Sequence, residues 1–389
     1  MSRYPLVAAG SLHANATRTA TRLRTRKMTT RAASHAGSWY PASSQSERAL
    51  RMMAWTQLKT ALDPFDAEER LAGELERWLG EAHTPAGEGA DADEPWMSVC
   101  MPAPLEDCRA IIAPHAGYAY SGRAAAWAYK LIDPAQIKRV FILGPAHHVY
   151  LNCCALTKCT DYETPLGNLP VDTAINEELK ALKGGTALFS EMDLTTDEEE
   201  HSIELHLPYI RHVFKDQDIK IVPILVGSLR AAEEREYGAL LAAYLADRQS
   251  LFVVSSDFCH WGQRFSYTYY RDPSTGAPAE TLGARSAAPG LLPIHASIAR
   301  LDRAAMEAIE LPDPAAAHAH FAGHLKETRN TICGRHPIGL LLAAMAALHA
   351  DSPAIAQELQ FVRYEQSGKC LTAKDSSVSY ASAFLRHPA

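Results

Sequence analysis

No apolar run in this sequence approaches the roughly 18 residues that suggest a membrane span. The longest, Ile338–Leu348, is Ala-rich, stops at His349 and reads as a buried helix. Surplus basic charge is missing too: 38 Lys and Arg stand against 45 Asp and Glu, for a net charge of −7 and a pI near 6.2. Such a chain offers no basic surface to a phosphate backbone, and it carries no zinc-finger, P-loop or GxGxxG spacing; nucleic acid is not an expected partner. Eight cysteines in 389 residues are too few for a disulfide scaffold. Cys153 and Cys154 are adjacent, so a bridge between them is strained, and a reducing compartment is the simpler reading.

Acid is absent from the first 46 residues, which hold Arg3, Arg18, Arg22, Arg24, Arg26, Lys27 and Arg31. That bias is typical of organelle transit peptides, but Leu12 and Leu23 are the only strong apolar residues after Val7, a poor basis for an amphipathic helix. Residues 1–32 therefore read as a disordered basic extension, with Met28 as an alternative start. The expected location is the cytoplasm, with the nucleus open and mitochondrial import as the alternative. Oligomeric state is not readable.

What is present is an alternation of strand and helix. Ala110–Ala113, Val140–Leu143, Ile221–Val226 and Leu251–Val254 are short, continuously apolar runs, as expected of strands covered on both faces of a parallel sheet. Helical spacing of apolar residues appears over Leu50–Leu62 and Leu71–Leu79, and helices are expected near Gly122–Leu131, Asn176–Lys183, Ala231–Leu245, Ile298–Ile309, Ala315–Lys326 and Pro337–Leu348. One further helix is predicted to start at Thr196, with Ile203, Leu207 and Ile210 as its stripe. Cys153–Thr160, Leu359–Tyr364 and Val378–Leu385 read as additional strands, and 84–104 and 272–295 as surface loop insertions. The fold class is α/β: one domain over 33–389, with a central, largely parallel mixed sheet flanked by helices.

Such sheets place ligands beyond the carboxyl ends of their strands, and three of the four runs end in His or Asp. His115 follows Pro114, which stops the strand. His147 and His148 follow Gly144-Pro145; adjacent histidines cannot both face inward, and His147, nearer the strand, is preferred. Asp257 and His260 close the fourth strand, a spacing that can supply a metal ligand with a base, or an acid orienting an imidazole. Cys333 precedes a helix start beside Arg335, a setting that should ease its ionisation. His115 and His147 with Asp257 would approximate a two-histidine, one-carboxylate Fe(II) site, whereas Cys333 as third ligand would favour copper or zinc. His201, Glu204 and His206 do not share one helix face, so a ligand trio there is not expected, although Glu204 could orient a ligand histidine from behind. His318, His320 and His324 are read as surface residues.

Ser34–Tyr40, Ile111–Tyr118, Ile142–His148, Asp197–Tyr209, Val253–Phe265 and Thr331–Gly339 together resemble the Memo family, mediators of receptor tyrosine kinase driven cell motility, from about Ala33 to Tyr380. That family is similar to the class III extradiol dioxygenases, which implies an extradiol-dioxygenase-like α/β domain. The resemblance puts His115 and His147 on the two histidine metal positions, Cys333 where the dioxygenases carry glutamate, Asp257 beside the site and His260 on the acid/base histidine. It implies iron (Fe2+) or copper (Cu+) rather than zinc, with redox activity, and puts ordinary ring cleavage in doubt. Trp39, Tyr120 and Arg264 match positions at a pocket mouth linked to phosphotyrosine-type peptides, although a small-molecule ligand fits the same place. Three functions follow: a metal-dependent redox protein, a non-catalytic peptide-binding adaptor, or a metal-free hydrolase using Cys333, His260 and Asp257.

Overall fold

A computed structural model describes residues 28–40, 64–83, 97–182, 189–284, 286 and 291–388. In chain order the strands are β1 (Thr30–Arg31), β2 (Met97–Ser98), β3 (Cys108–Ala113), β4 (Arg139–Pro145), β5 (Cys154–Leu156), β6 (Asp161–Tyr162), β7 (Leu169–Pro170) and β8 (Phe189–Glu191). They continue as β9 (Lys220–Val226), β10 (Ser250–Ser255), β11 (Asp257–Gly262), β12 (Tyr269–Tyr270), β13 (Glu280–Thr281), β14 (Glu358–Gln366) and β15 (Ser376–Arg386). Ten of them form one sheet in the order β2-β14-β15-β3-β10-β4-β9-β5-β8, with β11 paired to β15. The four apolar runs are its centre: β3, β10, β4 and β9 lie mutually parallel, while β15 joins β3, and β5 joins β9, in antiparallel fashion.

Alternation along these strands explains their continuous hydrophobicity. Ile111, Val140, Ile142, Ile221, Leu225, Leu251 and Val253 face one core, which includes Trp78, Trp127 and Phe214. Ala110, Ile112, Phe141, Leu143, Val222, Ile224, Phe252 and Val254 face the other, beneath helices Ala231–Ala246 and Arg335–Asp351. A sheet covered on both faces needs apolar side chains at both parities. The chain is thus a single α/β domain with a mixed central sheet.

Several expectations need correction. Order begins before residue 33: Thr30 and Arg31 pair with Asp161 and Tyr162, so the supposed extension of 1–32 contributes a strand, while 1–27 lie outside the described residues. Helix Pro64–Glu81 buries Leu71 and Leu75; the expected Leu50–Leu62 helix lies outside the described residues. Within the expected loop 84–104, Met97 and Ser98 form an edge strand against β14. In 272–295, residues 273–281 are exposed and β13 folds back on β12, but Ile294 already begins a helix. His318 is buried, with Nε2 2.7 Å from Glu234, and His324 Nε2 is enclosed; of the three, His320 is exposed.

The helix expected from Thr196 through Ile210 is instead three short ones, Leu194–Glu199, His201–Glu204 and Leu207–Val213. Glu200 takes an extended conformation (φ −83°, ψ 118°). Strand β11 was not anticipated either. Its register against β15 shifts so that Asp257 faces Tyr380 and His260 faces Val378, three residues spanning two. In a flat strand, residues three apart point to opposite faces; the bulge removes that mismatch.

A buried cation fixes the broken helix. Arg31 is fully enclosed; its Nε reaches Asp197 Oδ1 at 3.0 Å, Nη1 reaches Glu204 Oε2 at 2.7 Å and Nη2 donates to the Glu200 carbonyl at 3.0 Å. Burial opposes its charge, but Glu204 and Asp197 outweigh that and raise its pKa. Tyr40 and the His35 amide add hydrogen bonds of 2.7 Å to Glu204 Oε1.

Arg31→Met leaves two buried carboxylates uncompensated and is expected to lower unfolding free energy by about 3–5 kcal/mol, measured by urea denaturation at neutral pH; a loss below about 1 kcal/mol would mean the network carries little. Glu204 is buried, which alone would raise its pKa, yet Arg31 and His35 hold it at about 2, below the ordinary 4.5. Its contribution is whole above pH 4.5 and lost as pH falls toward 2. Glu204→Gln should therefore be less stable at neutral pH, with a flatter stability curve across that acid window.

Candidate metal centre

The carboxyl ends of β3, β4 and β10 open onto one pit. Pro114 ends β3, and His115, only 2% exposed, follows it. Its Nδ1 lies 2.6 Å from Ser255 Oγ at the end of β10. Beyond β4, the His147 amide donates to Glu200 Oε2 at 2.7 Å and its Nδ1 meets Glu200 Oε1 at 3.0 Å. The Glu200 carboxyl is buried, but His147 and the Ser202 amide hold it at about 2. Gly144 permits the close approach: a Cβ there would lie 2.6 Å from Ser202 Oγ and from Ile203.

The helix break at Glu200 delivers a third imidazole. Nitrogens of His115, His147 and His201 lie within 4.8 Å of one another, so these three residues could hold a metal ion. The His115 and His147 rings stand 5.2 Å apart at 68°, while His201 stacks on His147 at 4.5 Å and 19°. Burial pushes His115 well below the ordinary imidazole value, with His147 and His201 adding to the effect, and burial takes His201 to about 4. Both are neutral at physiological pH, as metal ligation requires.

Asp257 and Cys333 flank His115. Asp257 Oδ1 accepts from the His115 amide at 2.9 Å and the Ala116 amide at 3.3 Å, and burial raises its pKa. Cys333 Sγ lies 3.4 Å from His115 Nε2 and accepts from the Asp257 amide at 3.3 Å. Gly334 lets the cysteine loop in: a Cβ would sit 2.3 Å from Ser256 Cβ. The expectation of an easily ionised thiol is overturned. Burial, then Asp257, push it well above 9, while Arg335 is exposed and bonded to His336. A protonated thiol beside a neutral His115 is not the ion pair a cysteine nucleophile uses, and the hydrogen bonds of His260 go to Thr331. Its amide donates to Thr331 Oγ1 at 2.8 Å and its Nδ1 lies 3.0 Å from the Thr331 carbonyl, which leaves Nε2 as the acceptor.

At the rim, Trp39 is 37% exposed and packs on His201 at 4.6 Å. Tyr120 is 65% exposed. Arg264 lies over Phe265, which packs edge-on to His260. The His148 ring stands 5.7 Å from that of His201 at 80° but is outside the convergent set, and His206 turns to Tyr129 at 2.8 Å. Glu204 orients His35, not His115 or His147; Glu200 does that work for His147. Reasoning from a regular helix missed His201 and Glu200, and nothing in the strand pattern singled out Ser255. The run of acids before His201 was the available signal, and it was read only as a helix start.

Comparison with known proteins identifies the family. The family profile described as Memo-like protein matches residues 92–384. Protein MEMO1 of Danio rerio is 43% identical over 361 residues, covering 92% of this chain and 98% of that protein. Protein MEMO1 of Homo sapiens is 42% identical over 357 residues, 91% of this chain and 97% of its own length. The memo-1 homolog of Caenorhabditis elegans is 40% identical, covering 92% and 82% respectively. The chain belongs to the Memo family.

Proposed function

We propose that this chain is a redox-type metal-binding protein that holds iron or copper through His115, His147 and Cys333. The observation that carries the reading is the 3.4 Å between Cys333 Sγ and His115 Nε2. Nitrogen and sulfur donors at ordinary metal distances of about 2.1 and 2.3 Å, at near-tetrahedral angles, stand roughly 3.4–3.6 Å apart. The 68° between the His115 and His147 rings suits two imidazoles whose in-plane lone pairs converge. His201 fits this role less well, because rings stacked at 19° cannot both point an in-plane lone pair at one ion; it must turn to bind. A thiolate with two imidazoles favours soft or borderline metals over calcium and magnesium.

Iron or copper held there would supply one-electron chemistry. The surrounding residues have separate tasks. Asp257 holds the His115 loop by its amides, and His260, with its free Nε2 acceptor, is placed to take or return a proton. Burial, then Asp257, raise the Cys333 thiol pKa, so a metal held there would displace the thiol proton to a base or to solvent.

Elemental analysis after anaerobic, chelator-free purification should find about one iron or copper per chain, and Cys333→Ser should lose most of it. Cobalt(II) titration should give a thiolate charge-transfer band that Cys333→Ser abolishes; a wild-type cobalt complex without that band would remove Cys333 from the ligand set.

The exposure of Trp39, which packs on His201, and of Tyr120 favours a second reading, a non-catalytic adaptor that binds phosphotyrosine-type peptides, with Arg264 as the group suited to the anion. Trp39→Ala and Arg264→Ala should each weaken binding of a fluorescent phosphotyrosine peptide at least tenfold, the loss of roughly one desolvated contact; equal affinity in both variants would discard the adaptor.

A further inference from the structure

Both His115 and His147 are gripped from behind, and the two grips meet at Ser202. Ser255 Oγ lies 2.6 Å from His115 Nδ1, and its own hydrogen goes to the Ser202 carbonyl at 2.7 Å. A hydroxyl has one hydrogen. With that hydrogen spent on Ser202, Ser255 can only accept from His115, so Nδ1 carries the ring proton and Nε2 presents its lone pair. For His147 the acceptor is the Glu200 carboxylate at 3.0 Å, which likewise fixes the proton on Nδ1.

Glu200 and Ser202 belong to one turn. Glu200 Oε1 also accepts from the Ser202 amide at 2.9 Å, and Ser202 Oγ donates to the Pro145 carbonyl, two residues before His147, at 2.9 Å. Ser202 and Ser255 are fully enclosed and Glu200 is 2% exposed, so water does not compete for the bonds of Ser255 to His115 and to Ser202.

We infer that the turn 200–202, together with Ser255, is a positioning unit that sets the same tautomer on both histidines, and that Ser255 is the positioning residue for His115. This rests on the metal-binding reading above. Ser255 acts through His115 and does not itself touch the ion.

The test uses full-length protein in two states. In the metal-free state, nitrogen-15 NMR of labelled histidine is expected to find His115 protonated at Nδ1. Ser255→Ala should give a mixture of tautomers and a cobalt(II) dissociation constant 10- to 100-fold weaker, the usual cost of losing an outer partner of a ligand histidine. Ser255→Thr keeps the hydroxyl and should retain both the wild-type tautomer and an affinity within a few-fold. A wild-type His115 protonated at Nε2 overturns the proposal, as does a folded Ser255→Ala protein with unchanged tautomer or unchanged affinity. If Ser255→Ala does not fold, the wild-type and Ser255→Thr tautomers decide. Should wild-type protein bind no cobalt, the metal reading falls, and the metal-free tautomers alone still decide whether Ser255 orients His115.

Discussion

One wall of the pit depends on a single buried positive charge. Arg31 brings a segment from the beginning of the described chain against Asp197, Glu200 and Glu204, and so holds the polypeptide in a conformation that a regular helix would not adopt. A desolvated guanidinium is costly unless every donor finds a partner. Here the partners are two carboxylates and three main-chain carbonyls, of Ala32, Asp197 and Glu200. The same carboxylates also bind Tyr40, Tyr162, Thr157 and His35. The charge is therefore less a source of stability in itself than a device that makes one arrangement of this region far better than its alternatives.

That arrangement converts a helix into a hinge of extended backbone at Glu200, and the hinge serves the strand ends. Its side chain turns toward His147, its neighbour His201 enters the pit, and Ser202 closes against Gly144 and Pro145. On the opposite wall the bulge in β11 allows Asp257 and His260 to serve the same side of the sheet. The two walls are built by different physics, charge burial on one and register shift on the other. They meet at His115, which contacts Asp257 through its amide and Ser255 through its ring.

Much of this was readable in the residues, for a physical reason. Four strands buried on both faces must be apolar at both parities, so β3, β4, β9 and β10 announce themselves, and ligands beyond their carboxyl ends follow from parallel topology. His115 and His147 were found that way. Arg31 was not, because a lone arginine in an acid-free stretch looks like tail composition, and its partners lie 166 and 173 positions away. His201 was hidden by a helix that local spacing supported and tertiary charge overruled. The ease of ionising Cys333 was misjudged because proximity to a helix start and to Arg335 in sequence says nothing of burial. The bonds of Asp257 to the amides of His115 and Ala116 were not legible, because they belong to a fold of two distant segments.

The glycine at position 334 has a consequence for how the centre comes into being. By admitting the cysteine loop against Ser256, it joins a thiol to an imidazole 218 positions earlier in the chain. Contacts of such separation carry the largest loop-closure cost and are gained late. No local fragment holds half of this pit in waiting, so a chain still being folded has nothing to offer a metal beyond scattered, unoriented side chains. The contact of thiol and imidazole is in effect a certificate of completion, withheld until distant parts of the chain have found one another.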